Sequence, residues 1–217
     1  RCIVLAPSSV QECFDIMFLA FNLADKYRNP VIVLGDGMLG QMMEPVKFSA
    51  VSFQPFKSKP WALTGCKGRA PNVIKSFYMK EGDLEKFNLK LQKKYTQITK
   101  SEQRYEQINT EDARIILVAY GSMARIARSA VKSLRSKGIK AGLIRPITLW
   151  PFPAKAFQQA NRKTVKQATY LTVEMSYGQM VEDVRLSTCG KARVEFLGKS
   201  GGGVSTEKEI IKKVMSL

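Results

Sequence analysis

Apolar and polar positions first spell out strand, helix and strand. Cys2 to Ala6 is a short apolar run stopped by Pro7, and Val31-Ile32-Val33-Leu34 is an unbroken aliphatic run of the kind found in strands covered on both faces. Between them Ser9 and Glu12 stand at capping-box spacing, which predicts a helix from Ser9 to about Tyr27. Val10, Cys13, Phe14, Met17, Phe21 and Ala24 share one apolar face, and Phe18, Leu19 and Leu23 widen it until the helix is nearly apolar all round. Burial on more than one side is therefore expected. A strand–helix–strand unit of this size cannot cover its own faces, so residues upstream of Arg1 or a partner are expected to complete its sheet.

From Gly35 to about Gly82 the pattern breaks into Gly-, Pro- and Lys-rich text with isolated aromatics at Phe53, Phe56, Trp61 and Phe77, which reads as a long surface connection. Asp83 then opens a polar helix whose one apolar stripe runs through Leu84, Phe87, Leu91, Tyr95, Ile98, Tyr105 and Ile108. From about Ala113 strand and helix alternate. Strands are predicted at Ile115–Tyr120, Ile139–Ile144, Tyr170–Val173 and Val194–Leu197. Gly121-Ser122 reads as a turn before a helical face of Met123, Ala127, Ala130, Val131 and Leu134 that Gly138 ends. Pro151 is placed to begin a short helix, another starts near Gln179, and Thr206 with Glu209 caps the last. Four strands joined by helices predict an α/β, doubly wound and mostly parallel sheet. The organisation is thus the end of one domain over residues 1–56, a basic connector with a long polar helix over 57–112, and an α/β domain over 113–217.

Composition narrows the chemistry. The 217 residues carry 35 Lys and Arg against 18 Asp and Glu, a net charge of +17, and no histidine. Without histidine, Ser-His-Asp and Cys-His nucleophile systems and His-based metal sites are excluded. Cys2, Cys13, Cys66 and Cys189 form no Cys-x-x-Cys pair, so no metal or iron–sulfur run is written here. Apolar runs fall well short of the roughly 18 residues a membrane span needs, and no signal peptide is laid out, so a cytoplasmic protein is expected. The basic charge reads either as a solvated surface or as an attraction for phosphates and acidic partners. Nucleic acid is the less favoured partner, because Lys90, Lys93 and Lys94 cluster on a predicted helix rather than on an arm or aromatic platform.

Three segments invite a site. Gly198-Lys199-Ser200 imitates the end of a phosphate loop, but Arg193 stands where the upstream glycine belongs and the next helix starts near Thr206; a flexible turn is the better reading. Asp36 to Pro45 follows a buried strand with two glycines, three methionines and the polar tips Gln41 and Glu44. It suits either a site wall or a subunit contact. Gly178 to Val184 lies after the third strand of the α/β domain, where Glu182 and Asp183 suit the positive end of a helix and need no ligand. Glu174, at that strand's end, is a lone carboxylate that could accept hydrogen bonds or act as an acid.

Several strings together resemble the alpha subunit of 2-oxoacid:ferredoxin oxidoreductases of the 2-oxoglutarate and 2-ketoisovalerate types. They are Leu5-Ala6-Pro7-Ser8-Ser9-Val10-Gln11-Glu12, Ala24 to Val31, Asp36 to Pro45, Gly138-Ile139-Lys140, Leu143 to Pro153, and Gly178 to Asp183. The resemblance implies oxidative decarboxylation of a 2-oxoacid to acyl-CoA with reduction of ferredoxin, the carbanion being carried by thiamine diphosphate. It implies that residues 1–56 end a pyrimidine-binding-like domain and that 113–217 form a transketolase C-terminal-like domain. Magnesium and the diphosphate would belong to a thiamine-binding beta subunit, and iron–sulfur clusters to that subunit, a ferredoxin-like subunit or ferredoxin. Coenzyme A and the 2-oxoacid would bind in a hetero-oligomer, with Asp36, Gln41 and Glu44 near the cofactor-bearing interface. No catalytic or metal-binding residue carries over, because the family's substrate loop and activating acid lie upstream of the strings matched; the chain alone is expected to be inactive. The alternative is a non-enzymatic basic module that binds an acidic protein or nucleic acid.

Overall fold

The structure is a computed structural model that describes residues 1–48, 59–163 and 168–217, with backbone alone at 159 and 161–163. Along the chain run β1 (Ile3–Leu5), α1 (Val10–Tyr27), β2 (Val31–Val33), the one-turn α2 (Gly37–Gln41), α3 (Asp83–Ser101), β3 (Tyr105–Ile108), β4 (Ile115–Val118) and α4 (Gly121–Ser136). Then follow β5 (Ala141–Pro146), β6 (Thr148–Trp150), α5 (Ala154–Lys163), β7 (Thr169–Glu174), α6 (Met180–Thr188), β8 (Val194–Gly198) and α7 (Glu207–Met215).

Local chemistry starts and stops these elements. The Ser9 hydroxyl accepts the Glu12 N–H and opens α1, while Arg28, in the left-handed region, closes it by donating its N–H to Ala24 and Asp25. Thr206 and Glu209 form a full capping box on α7. Glu102 ends α3 from within the protein: it is 3% exposed and accepts Lys26 Nζ at 2.7 Å and the Tyr27 hydroxyl at 2.6 Å. Burial, followed by the Lys26 and Tyr27 bonds that outweigh it, leaves the Glu102 carboxyl below its ordinary value.

Four predicted features change. The apolar stripe does not stay helical to Ile108, because Tyr105–Ile108 leave the helix and pair antiparallel with Leu143–Pro146 as an edge strand. Their spacing of three suits a helix as well as a short strand, and the buried Glu102 decides between them. Gly121 and Ser122 are not a turn but the first residues of α4, and the helix after Pro151 begins at Ala154. The buried face of α1 is Ile16, Ala20, Leu23 and Tyr27, whereas Met17 and Phe21 are 44% and 64% exposed. A helix apolar all round gives periodicity nothing to choose by; β1, β2 and Ile98 of α3 choose for it. Phe53 and Phe56 lie outside the described residues.

The larger sheet has the order β3-β5-β4-β7-β8, parallel except at its β3 edge. On one face α4 and α7 bury Met123, Ala127, Leu134, Ile210 and Val214 against Leu117, Leu143 and Leu171. On the other, Phe157 of α5 and Met180 and Val184 of α6 pack on Ile116, Ile144 and Tyr170. The smaller sheet has the order β2-β1-β6. β1 and β2 are parallel, and the free side of β1 is taken by β6, antiparallel, from far down the same chain. The outer sides of β2 and β6 have no strand partner among the described residues, and one residue, Ile147, separates β5 of the larger sheet from β6 of the smaller.

Candidate functional site

Because β1 and β2 are parallel, the turn at Pro7–Ser9 and the loop from Leu34 to Phe48 leave the same end of the small sheet. Three carboxylates fasten that end to the larger unit. Asp36 caps α2, accepting the Leu39 N–H at 2.8 Å, and reaches α4, where the Ser122 N–H and hydroxyl each donate to it at 2.8 Å. Burial pushes the Asp36 carboxyl up, but the bonds from Ser122, Leu39 and Met38 outweigh it and hold it below its ordinary value. Gly121 makes room for this contact. Its φ is 59°, and a Cβ there would sit 2.6 Å from Asp36 Oδ2.

Glu44 accepts the Val10 N–H at 3.0 Å and pairs with Arg125 of α4 at 2.7 Å, which keeps its carboxyl low. Gln41 is exposed at the end of α2, beside Met38 (38% exposed) and near Met43 (98% exposed). Of the three sequence-selected residues, Asp36 and Glu44 are therefore brought together as anchors on α4, and Gln41 faces outward between them.

The third carboxylate is Glu12. Arg145, with its side chain 7% exposed in β5, donates Nη1 and Nη2 to Glu12 at 2.8 and 2.9 Å, Nη1 to Ser8 Oγ at 3.0 Å, and Nε to Glu106 at 2.9 Å. Glu106 is held in turn by Arg128 at 2.8 Å. Burial pushes the Glu12 carboxyl up, yet Arg145 and then Ser8 bring it below its usual range. Sequence reasoning missed Ser122, Arg125 and Arg145. Only Arg145 left a signal, a cation inside the apolar strand Leu143-Ile144-Arg145-Pro146, which demands a buried partner.

At the switch point of the larger sheet, between β4 and β7, a doubly wound fold normally offers helix N-termini to an anion. Here both are filled from within. Asp36 takes the start of α4, and Glu174, 2% exposed, accepts Met180 N–H at 2.9 Å, Gln179 and Val181 N–H at 3.2 Å, and Ser176 Oγ at 2.8 Å. Glu174 is thus a cap for α6. Lys199 does not reach for a phosphate either; it braces α7 through Glu209 at 2.7 Å, and a Cβ on Gly198 would collide with the Ser176 carbonyl. The donor set does not fit a diphosphate with its metal: these carboxylates are committed, and among the described residues no three His, Cys, Asp or Glu converge to hold a cation. Nor is any helix of the described residues long and apolar enough to cross a membrane.

A pair of parallel strands closed by an antiparallel strand borrowed from a doubly wound neighbour makes a tandem α/β protein. The solved 2-oxoglutarate:ferredoxin oxidoreductase from Magnetococcus marinus, with 2-oxoglutarate, coenzyme A and succinyl-CoA bound, shares this fold over 99% of the chain and 42% of its own, with a TM-score of 0.72 at 21% identity. A split-gene transketolase, an inactive beta4 tetramer, follows it at a TM-score of 0.53 and 14% identity, over 99% of this chain and 56% of its own. Residues 1–111 match the family described as pyruvate flavodoxin/ferredoxin oxidoreductase, thiamine diphosphate-binding, and residues 113–210 match pyruvate:ferredoxin oxidoreductase core domain II. The chain belongs to the 2-oxoacid:ferredoxin oxidoreductase family. It is 43% identical to the ketoisovalerate oxidoreductase subunit VorB of Methanothermobacter marburgensis, covering 100% of this chain and 60% of that protein. Against the 2-oxoglutarate synthase subunit KorA of the same organism it is 34% identical, covering 99% and 64%. The chain therefore spans about three fifths of the length of these relatives.

Proposed function

We propose that this chain is part of the alpha subunit of a hetero-oligomeric oxidoreductase that decarboxylates a 2-oxoacid, 2-ketoisovalerate or 2-oxoglutarate, to an acyl-CoA while reducing ferredoxin. The observation that carries the reading is the loop Asp36–Glu44. It leaves the C-terminal end of β2, is fixed at both ends to α4, and leaves Gln41, Met38 and Met43 exposed. Such a loop is built to meet another surface in one geometry. Thiamine diphosphate supplies the carbanion chemistry of the complex, and its diphosphate and magnesium rest on a partner beta subunit, as the committed carboxylates of this chain support. Iron–sulfur clusters sit on that subunit or on a ferredoxin-like one, with coenzyme A bound in the assembly.

The role of this chain's residues is to position. Asp36 and Glu44 hold the loop, the Ser8–Glu12–Arg145 network holds the neighbouring turn, and Gln41 offers an amide to the cofactor-bearing interface. The test is to replace Gln41 with Ala in the assembled complex and follow ferredoxin reduction with each of the two 2-oxoacids and coenzyme A. Turnover with one of them is expected to fall several-fold while the chain still copurifies. Wild-type turnover in an intact complex would remove the loop from the interface, and no turnover by the wild-type complex on either acid would remove the reaction.

A further inference from the structure

We infer that the outward face of α3 is a docking surface for an acidic protein. Along this helix Lys86, Lys90, Lys93, Gln97 and Lys100 recur at fours and threes, so they share one face, about 21 Å long at 1.5 Å per residue. The opposite stripe is occupied: Phe87 lies 5.1 Å from Tyr78, Tyr95 meets Trp150 edge-on at 5.9 Å, and Ile98 is fully buried. The lysine face is exposed, with Leu89 (57% exposed) on its border, and the Nζ of Lys155 adds a further cation at the Lys100 carbonyl, 2.9 Å away.

What marks this face is the lack of balance along it. Between Lys86 and Ser101 there is no carboxylate in the sequence, so lysines meet lysines at i,i+3 and i,i+4, a pattern that weakens a helix. A helix turned only to water gains by alternating Glu with Lys instead. Among the described residues Lys90, Lys93 and Lys100 form no ion pair, and Lys86 reaches Asp83 only at 3.9 Å. The repulsion is relieved when carboxylates arrive from outside.

The chemistry of the face selects among polyanions. Nucleic acid is gripped by Arg forks and flat aromatic platforms, and this face has neither. A bilayer needs the apolar side of an amphipathic helix, which here is already packed on Tyr78 and Trp150. A protein surface bearing several Asp or Glu and a small apolar patch for Leu89 fits. This inference stands on α3 alone and does not depend on the reaction proposed above.

The test uses the full chain and a fluorescein-labelled peptide of repeated Glu-Glu-Leu triplets, titrated at low and physiological ionic strength. The triple variant Lys90→Glu, Lys93→Glu, Lys100→Glu is compared with Lys191→Glu, Lys208→Glu, Lys212→Glu, which changes net charge equally on exposed positions of the other unit. Affinity is expected to weaken about tenfold or more in the α3 variant and much less in the matched control, with the difference shrinking as salt rises. Equal weakening in both variants, or no binding by the wild type at low salt, overturns the inference. So does tighter binding of a uridine oligonucleotide or of phosphatidylserine vesicles that the α3 variant abolishes.

Discussion

Arg145→Met tests whether the buried network is what joins the two sheets. Methionine keeps the apolar stem and packs the same corridor, so the change removes charge and hydrogen bonds more than volume. Arg145 makes four bonds, two of them in a bidentate pair with Glu12. Breaking a buried pair by deleting one partner costs about 3–5 kcal/mol. The lower end applies, because Glu12 keeps 22% of its side chain in solvent and Glu106, 33% exposed, retains Arg128. A loss of about 3 kcal/mol is roughly a hundredfold in the folding equilibrium, or about 6–12 °C in Tm for a chain of this size. Urea unfolding of the wild type, Arg145→Met, Glu12→Gln and the double variant closes a cycle, with an expected coupling of about 1.5 kcal/mol or more. A loss below about 1 kcal/mol with additive single effects would refute the network as the joint.

Two further outcomes follow from the same contacts. Gly121→Ala places a Cβ 2.6 Å from Asp36 Oδ2 at a φ of 59°, whereas Gly138→Ala, at 77°, meets open space. Thermal melts are expected to show about 1–2 kcal/mol of backbone strain at Gly138 and clearly more at Gly121; equal shifts would deny the Asp36 contact. Glu12, Asp36 and Glu102 all titrate below their ordinary values when folded, and Glu209, held first by Lys199, is brought down to about 2. A folded pKa below the unfolded one means that the stabilisation is complete above about pH 4.5 and is lost as pH falls through the folded values. Urea midpoints are expected to decline from about pH 4.5 downward, and midpoints flat to about pH 2 would contradict these ion pairs and hydrogen bonds.

Much of the fold is written locally. The caps at Ser9 and Thr206, the aliphatic β4, the Thr-, Tyr- and Val-bearing β7, and the amphipathic α4 follow from neighbours in sequence, where propensity and periodicity act. What stayed hidden depends on distant partners. The three residues of β6, though Thr and Trp favour strands, are too few beside Pro151 to show a period, and gain their meaning only from the free side of β1. The buried side of α1 could not be read because Phe14, Phe18 and Phe21 make its other side just as apolar. At the site, Asp36 and Glu44 were visible as polar residues after a strand, but their work as anchors depends on Ser122 and Arg125, far away in the chain.

The strand exchange at Ile147 also sets an order of events. β1 and β2 lie close in the chain and can pair early, whereas the other side of β1 is covered only once β6 is present, since Val4 must find Trp150. Closing so long a loop is slow, and at the crossing the Ile147 N–H donates to Arg104 while its carbonyl accepts the Ala6 N–H. The second unit therefore lends the first the strand that covers one side of β1. Separating β6 from β1 would leave that side of β1 as an uncovered strand edge, prone to pair with whatever edge it meets next.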